Sequence, residues 1–302
     1  MQTKFLLDSG DPLEYKDIAV LAKQHNSELW GSTTNPSLIA KKLAGQKVSP
    51  NDAFSILQKQ IITEILGIVP GAVSGEVYAS HQTIAEEMVK QGQEVATWGD
   101  RVVVKLPTTL EGFKARTELR KLGICINNTL VFSQQQVFAI TLHEKIMTAQ
   151  YGKPKSSWPC FISPFVGRLD DIGQDGLSMV EHSINMVRKY FAPDTTWMLE
   201  ASVRTLAHFK KGIDLQSELI TAPAKIYADW FALTVDQQNA VSTETPNLTP
   251  IPEWIPSDEL LQINSIEAFM DAITTKKLDI HHDLTDQGID KFIADWSKIL
   301  IA

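Results

Sequence analysis

The chain has 302 residues, of which 43% are hydrophobic and 21% are charged, with a formal net charge of −8. This composition is typical of a globular protein, and the length allows one barrel-type domain or two smaller domains. The acidic balance and the lack of a strongly basic segment argue against nucleic acid as a partner.

The start of the chain, MQTKFLLDSGD, does not have the layout of a signal peptide, because its apolar run is short and an Asp follows at once. No apolar stretch approaches the length of a membrane span, so we expect no membrane partner and a cytoplasmic location. Cys125 and Cys160 both lie in apolar runs, which is typical of core thiols in a reducing compartment.

Along the chain, short apolar runs alternate with longer amphipathic stretches. The predicted strands are 4–8, 28–35, 72–78, 101–107, 123–131, 159–165, 196–202 and 218–224. Helical patterns between them include 14–26, 52–66, 81–96, 111–123, 133–147 and 177–191. Strict alternation predicts a parallel sheet, and about eight units closing on themselves predict an α/β fold of the (β/α)8 TIM-barrel type. An open doubly wound sheet is the alternative, but no G-x-G-x-x-G pattern follows the first strand.

The C-terminal quarter departs from this alternation. Residues 238–262 are polar and rich in Pro, which is typical of a long surface excursion. Two further helices are predicted near 264–275 and 285–299. We therefore expect residues 1–302 to form one barrel domain with an excursion at about 238–262 and C-terminal helices at about 264–299.

Polar side chains recur at the ends of the predicted strands. They are Asp8, Thr33 with Asn35, Glu76, Lys105, Asn127 with Thr129, Ser163 and Ser202. Barrel enzymes build their active sites at the C-terminal ends of the strands, so this recurrence predicts an active site there.

Lys105 lies in the apolar run RVVVKLP at 101–107. Strand alternation puts Val103 and Lys105 on one face, which points into the barrel. Burial there disfavours the ammonium form, and a neutral amine attacks carbonyl groups to form Schiff bases. Asp8 and Glu76 are candidates to move protons beside it. The residues alone leave open a second interpretation, a structural ion pair between Lys105 and one of these carboxylates.

Two arginines just beyond strand ends, together with Ser202, predict a site for a phosphate monoester. Arg168 and Arg204 would bind the anion, and Ser202 would add a hydroxyl. The alternative is that both arginines are solvated or paired with Asp170 and Asp171.

Two amides could orient substrate hydroxyls, namely Asn35 and Asn127. Asn35 precedes Pro36, so its role could instead be to cap the helix that begins there. The adjacent pair His281 and His282 is not expected to bind a metal, because neighbouring side chains diverge.

The ordered set of motifs resembles the transaldolase family. The motifs are LLDSGD, STTNPSLI, VPGAVSGEV, VVVKLPTTLEG, GICINNTLVFSQQQ, FISPFVGRLDD and ASVRT, which together span residues 5–205. The ending HHDLTDQGIDKFIADWSKIL is similar to the C-terminal helix of the family. The resemblance implies a (β/α)8 barrel and a mechanism that needs no cofactor. It also implies reversible transfer of a dihydroxyacetone unit from sedoheptulose 7-phosphate to glyceraldehyde 3-phosphate, giving erythrose 4-phosphate and fructose 6-phosphate in the non-oxidative pentose phosphate pathway.

The resemblance further implies a role for each matching residue. Lys105 would be the Schiff-base lysine, and Asp8 would take and return the proton of the C4 hydroxyl. Glu76, with Thr129 and a water molecule, would help form and hydrolyse the imine. The implied substrate-binding residues are Thr33, Asn35, Asn127, Ser163 and Phe165 towards the dihydroxyacetone unit, and Arg168, Ser202 and Arg204 at the phosphate.

Two positions favour transfer over simple aldol cleavage. The related fructose 6-phosphate aldolases carry Gln where this chain has Glu76, and Tyr where it has Phe165. Aldol cleavage that releases free dihydroxyacetone stays open as an alternative, as does a catalytically silent barrel that binds sugar phosphates. The expected partners are sugar phosphates, and the interpretation leaves room for a homodimer.

Glu200 departs from the family pattern, which has a small residue at this position. Alternation puts Glu200 on the inward face with Ser202, where a buried carboxylate needs a partner. Arg101 or Lys4, at the other end of the barrel, could provide it. Alternatively, the strand register differs and Glu200 does not face inward.

Overall fold

The computed structural model describes residues 2–301 and contains a closed barrel of eight parallel strands. The barrel strands are β1 (Lys4–Asp8), β2 (Leu29–Thr33), β3 (Val73–Glu76), β4 (Val102–Pro107), β5 (Ile126–Val131), β6 (Cys160–Pro164), β8 (Thr196–Glu200) and β9 (Leu219–Ala222). They follow one another around the barrel in chain order, and β9 pairs with β1 to close it. The (β/α)8 prediction is confirmed.

Helices surround the barrel and connect its strands. They are α1 (Pro12–Gln24), α2 (Pro36–Lys42), α3 (Lys59–Leu66), α4 (Ala85–Ala96), α5 (Leu110–Lys121), α6 (Gln134–Tyr151), α7 (Val166–Asp170), α8 (Gly176–Tyr190), α9 (Leu206–Asp214), α10 (Ala224–Phe231), α11 (Val235–Asn239), α12 (Asp258–Leu261), α13 (Ile266–Thr274) and α14 (Asp283–Ser297). A π-helix over Asp52–Gln58 runs directly into α3.

Local sequence explains where several helices begin. The side chain of Asp11 accepts a hydrogen bond from the Leu13 amide, and Pro12 occupies the first helical position of α1. Ser133 and Gln136 form a reciprocal capping box at the start of α6. These signals are readable from the sequence because the partners lie within three residues of each other.

Aromatic side chains fill the N-terminal end of the barrel. Phe161 and Trp197 are register neighbours on β6 and β8, and their rings stack with centroids 6.1 Å apart. Trp30 packs on Trp197, and the Lys4 ammonium lies 5.1 Å from the centre of the Trp30 ring. This packing seals one end of the barrel, so the open end is the one formed by the strand C-termini.

The Pro-rich segment 238–262 is tied to the helices it crosses. Two short strands, β7 (Gln174–Asp175) and β10 (Thr249–Pro250), pair with each other outside the barrel. Gln134 on α6 donates to the Pro252 carbonyl and accepts from the Trp254 amide, both at 2.8 Å. The segment thus lies along α6 and α8 and leads the chain towards the C-terminal helices.

Helix α14 lies beside the C-terminal ends of the barrel strands. Thr285 donates to the Leu130 carbonyl at 2.9 Å, which fixes the start of α14 to β5. Near the other end of the helix, Ser37 on α2 donates to Asp295 at 2.6 Å. These bonds fix both halves of α14 next to the open end of the barrel. Among residues 2–301, no helix is both long enough and apolar enough to cross a bilayer.

Of the two interpretations of Glu200, the inward-facing one is wrong, and the alternative, that Glu200 does not face inward, is confirmed. Trp197 and Phe161 share the inner face of the barrel. Glu200 lies three residues after Trp197, so it points outward, towards α9. Its Oε2 is 2.5 Å from the position that a Cβ on Gly212 would occupy. The alternation fails just after β8 because Ser202 has a φ of 58°, in the left-handed region. Ser202 and Glu200 therefore do not share a face.

The proposed partners of Glu200 are engaged elsewhere. Arg101 donates to the carbonyls of Leu66, Val69 and Gly71, and Lys4 lies over Trp30. Neither oxygen of the Glu200 carboxyl has a hydrogen-bond partner among residues 2–301, and burial raises the pKa of this group to about 8.

Candidate active site

A cavity of about 210 Å³ opens at the C-terminal ends of the barrel strands. Nine of the twelve predicted site residues line it: Asp8, Thr33, Asn35, Lys105, Ser163, Phe165, Arg168, Ser202 and Arg204. The wall is completed by Ser37, Leu38, Ala201, Thr221, Lys291 and Phe292. The barrel topology thus gathers residues from both ends of the chain around one small space.

Lys105 lies at the inner wall of this cavity and is only 2% exposed. Its Nζ is 2.9 Å from Oε2 of Glu76 and donates to the Thr34 carbonyl at 3.0 Å. The β3–β4 register places Glu76 directly beside Lys105. The ion pair that the residues alone left open for Lys105 is therefore present, with Glu76 as the partner. An ion pair at this distance does not exclude proton transfer between the two groups.

The two carboxyl groups near Lys105 have raised pKa values. Burial raises the pKa of Asp8, although the nearby Lys105 charge and a hydrogen bond from Thr33 oppose the shift. Burial also raises the pKa of Glu76 against the opposing effect of Lys105. Carboxyl groups of this kind hold a proton at higher pH than usual, which suits groups that both accept and donate protons.

Hydroxyl groups hold Asp8 in position. Thr33 Oγ1 donates to Asp8 Oδ1 at 2.7 Å and lies 2.6 Å from the hydroxyl of Thr221 on β9. The buried Tyr15 hydroxyl is 2.9 Å from the carbonyls of Leu7 and Ser9, on either side of Asp8. The end of β1 is therefore fixed by side chains from α1, β2 and β9.

Three predicted site residues do not line the cavity within the described part of the chain: Glu76, Asn127 and Thr129. Asn127 is fully buried, donates to Ser74 at 3.1 Å and accepts from Ser163 at 2.7 Å. It therefore orients Ser163, which does line the cavity. Thr129 is also fully buried, and its hydroxyl has no partner among residues 2–301.

Asn35 combines the two roles that the sequence leaves open. Its Oδ1 accepts from the Leu38 amide at 3.0 Å and caps α2. Asn35 also lines the cavity, next to Ser37 and Leu38 of the same turn. Capping leaves its Nδ2 as the donor that can meet a ligand.

The two arginines stand in different surroundings at the outer end of the cavity. Arg168 is half-buried, and its guanidinium lies 5.7 Å from the Phe165 ring centre and 5.8 Å from that of Phe292. Arg204 is exposed and forms an ion pair with Asp171. The alternative pairing predicted from the sequence thus holds for Arg204 and Asp171.

Asp170 pairs with a different residue. Its Oδ2 lies 2.7 Å from Nε2 of the buried His208, whose Nδ1 accepts from the Arg204 amide at 3.2 Å. The pair fixes the backbone at Arg204 against the short helix α7.

The search for polar residues at strand ends missed the part of the cavity wall that α14 forms. Lys291 and Phe292 lie about 186 residues after Lys105 and follow no barrel strand. The only signal was the similarity of the chain's ending to the C-terminal helix of a family. Thr221 was also missed, although it lies near the C-terminal end of β9, one residue before Ala222.

The histidine pair has structural contacts instead of a shared site. His282 caps α14 through its ring and stacks on Phe132 with centroids 5.4 Å apart. His281 Nε2 is 3.0 Å from Asp286 on α14. Within residues 2–301, no group of three or more His, Cys, Asp or Glu side chains is arranged to hold a metal ion.

Known proteins similar to this chain point to one family. The sequence model of the transaldolase/fructose-6-phosphate aldolase family matches residues 5–302. A protein of Methanococcus vannielii named "Probable transaldolase" is 33% identical over 297 residues, covering 98% of this chain and 99% of the relative. Proteins with the same name from Brevibacillus brevis and Anaeromyxobacter dehalogenans are 31% and 30% identical, over 98% of this chain and 99% and 97% of their own lengths.

Proposed function

Because the chain belongs to the transaldolase/fructose-6-phosphate aldolase family, we propose that it acts as a transaldolase. In this proposal it moves a dihydroxyacetone unit between sugar phosphates, from sedoheptulose 7-phosphate to glyceraldehyde 3-phosphate and in reverse. The observation that carries the proposal is the buried amine of Lys105 at the cavity wall, with Glu76 at 2.9 Å and a second carboxyl, Asp8, lining the same cavity.

Imine formation needs an amine and a group that moves protons. The neutral amine of Lys105 adds to the C2 carbonyl of the ketose, and the resulting carbinolamine loses water to give an iminium ion. Glu76 is within reach of Nζ, so its carboxylate can take the proton from the ammonium and later protonate the departing hydroxyl. Thr129 has a buried hydroxyl without a partner among the described residues, which leaves it able to bind the released water.

Carbon–carbon cleavage needs a base at the C4 hydroxyl. Asp8 removes that proton, the C3–C4 bond breaks, and its electron pair moves into the iminium to form an enamine on Lys105. The aldehyde leaves and an acceptor aldehyde takes its place. The enamine attacks the acceptor, Asp8 returns the proton, and water then releases the product ketose.

The size and lining of the cavity favour transfer over hydrolysis of the intermediate. A space of about 210 Å³ with Phe165 and Phe292 in its wall leaves little room for bulk water around the enamine. Ser163 and Asn35 stand where they can hold hydroxyls of the bound unit. Arg168 and Arg204 bind the phosphate at the outer end.

Borohydride trapping tests this proposal. Reduction of the protein with borohydride in the presence of fructose 6-phosphate should leave a stable adduct on Lys105, located by mass spectrometry of the digested protein. The Lys105→Met variant should give no adduct and no turnover. An adduct on another lysine, or one that persists in the variant, would contradict the proposal.

A second measurement separates transfer from aldol cleavage. With fructose 6-phosphate alone, we expect each enzyme molecule to release at most one equivalent of glyceraldehyde 3-phosphate and no free dihydroxyacetone, because the dihydroxyacetone unit stays bound to Lys105. Adding erythrose 4-phosphate should start steady turnover. Continuous release of dihydroxyacetone without an acceptor would instead make the protein an aldolase.

A further inference from the structure

We propose that Lys291 of α14 is a specificity-determining residue, which adds a third cation to Arg168 and Arg204 for the phosphate of the substrate. This inference rests on the proposed function, because it assumes that the outer end of the cavity binds a phosphate monoester. It concerns a residue outside the barrel, at a position that follows none of its strands.

One face of α14 lines the phosphate end of the cavity. Lys291 and Phe292 are both in the cavity wall, and Gly288 lies one turn before them. A Cβ on Gly288 would lie 3.0 Å from Nη1 of Arg168, so the helix backbone approaches this guanidinium closely. Phe292 covers the other part of Arg168, with its ring centre 5.8 Å from the guanidinium carbon. Lys291 is therefore on the helix turn that contacts Arg168.

Breaking the ion pair between Lys291 and Asp295 should cost little free energy, because the lysine is exposed to solvent. The Lys291 side chain is 58% exposed, and its Nζ lies 3.1 Å from Oδ2 of Asp295, one turn later on α14. Asp295 also accepts from Ser37 at 2.6 Å and pairs with Lys298 at 2.7 Å. If Lys291 turns towards a bound phosphate, the Asp295 carboxylate keeps these two partners and does not become an isolated charge.

Both arginines already interact with other side chains. Arg204 is paired with Asp171, and Arg168 lies between two aromatic rings. A phosphate monoester is close to a dianion at neutral pH, so a further ammonium group at the same end strengthens binding of the phosphorylated substrate. An uncharged sugar or aldehyde would gain nothing from it. Lys291 would thus select for phosphorylated over free substrates.

Matched variants on α14 test the inference through kinetics. Lys291→Ala should raise the KM for erythrose 4-phosphate about fivefold, with little change in kcat and no change in the KM for D-glyceraldehyde, which has no phosphate. Lys291→Arg should stay close to wild type. Lys298→Ala is the control, because Lys298 also pairs with Asp295 but is not in the cavity wall within the described part of the chain.

Direct binding separates this inference from the proposed function. Calorimetric titration with glycerol 3-phosphate should show weaker binding to Lys291→Ala than to wild type and to Lys298→Ala, and glycerol should not compete. If wild type turned over no sugar phosphate but kept this pattern, the proposed function would fail and the role of Lys291 would stand. The role is overturned if Lys291→Ala and Lys298→Ala behave alike, if D-glyceraldehyde is affected equally, or if wild type does not bind glycerol 3-phosphate.

Discussion

At the scale of single residues, the surroundings of a buried carboxyl decide what it can do. Glu76 lies 2.9 Å from a lysine amine inside the barrel, whereas Glu200 lies outside it between β8 and α9 with no hydrogen-bond partner among residues 2–301. Burial raises the pKa of both groups. The first arrangement favours exchange of a proton with Lys105, and the second favours a carboxyl that stays protonated.

The pH dependence of activity should report on Asp8. In the proposed mechanism, cleavage needs the ionised carboxylate of Asp8. The value of kcat/KM should therefore fall as the pH decreases through the pKa of Asp8, which burial raises above its usual value of about 3.9. The hydrogen bond from Thr33 opposes this shift by favouring the ionised form. Thr33→Val should therefore move the acid limb of the pH profile to higher pH, by about one unit.

Thr221→Val provides the comparison for this measurement. Thr221 contacts Thr33 and not the carboxyl of Asp8, so its loss should move the acid limb less. An acid limb that stays in place in Thr33→Val would mean that a group other than Asp8 titrates there.

The stability of the protein should depend on the ionisation of Glu200. In the folded protein its pKa is raised from 4.5 to about 8, so between these values the folded state holds a proton that the unfolded state has released. Stability from this group is thus fully present below pH 4.5 and is lost as the pH rises to 8, by an amount on the order of 4 kcal/mol.

Glu200→Gln removes this titration while keeping the shape of the side chain. The difference in melting temperature, Glu200→Gln minus wild type, should increase from pH 5 to pH 8, because only wild type loses stability through this ionisation. Parallel profiles for the two proteins would show that Glu200 has no such shifted ionisation. The comparison uses differences between the two proteins, so that other titrating groups cancel.

At the scale of secondary-structure elements, α5 and α6 are joined by a buried cluster of charges. Glu144 on α6 pairs with Arg116 at 2.8 Å and with Arg120 at 2.9 Å, both on α5. All three side chains are at most 1% exposed. Two buried guanidinium groups thus depend on one carboxylate, and the cluster holds the two helices together.

Glu144→Gln should be strongly destabilising, because it leaves both guanidinium groups without a counter-charge. We expect a loss of about 3–5 kcal/mol in the free energy of unfolding, measured by urea denaturation. The exposed pair of Glu118 with Lys121, both on α5 with the two arginines, is the matched control. Glu118→Gln should change stability by less than about 1 kcal/mol, and equal effects of the two changes would contradict this account of the cluster.

At the scale of the whole molecule, the chain is a barrel of the transaldolase/fructose-6-phosphate aldolase family, and its active-site candidates come from nearly its full length. Asp8 ends the first barrel strand and Thr221 lies one residue before the end of the last, and they meet through Thr33 because β9 pairs with β1. Closure of the barrel therefore assembles the site, and α14 returns to cover part of the opening. A chain folded only up to β8 would have Lys105 but would lack the hydroxyl that supports the Asp8–Thr33 contact.

Much of this was readable in the sequence. Alternation of apolar runs and amphipathic stretches predicted eight strands, because a buried parallel strand and a helix that covers it need different apolar spacings. Polar residues at strand ends predicted most of the cavity wall, since the C-termini of parallel strands meet at one end of a barrel. Caps such as Asp11 and Ser133 were also local signals.

The tertiary structure alone decided the rest, because it depends on contacts between residues far apart in the chain. The left-handed backbone at Ser202 breaks the alternation just after β8, so Ser202 lines the cavity although Glu200, two residues earlier, lies outside the barrel. Lys291 likewise lines the cavity because α14 is bonded to α2 and β5, which no strand-end pattern could indicate. Sequence periodicity determined which side chains a strand presents together, whereas the packing of distant elements determined which charges and hydroxyls they meet.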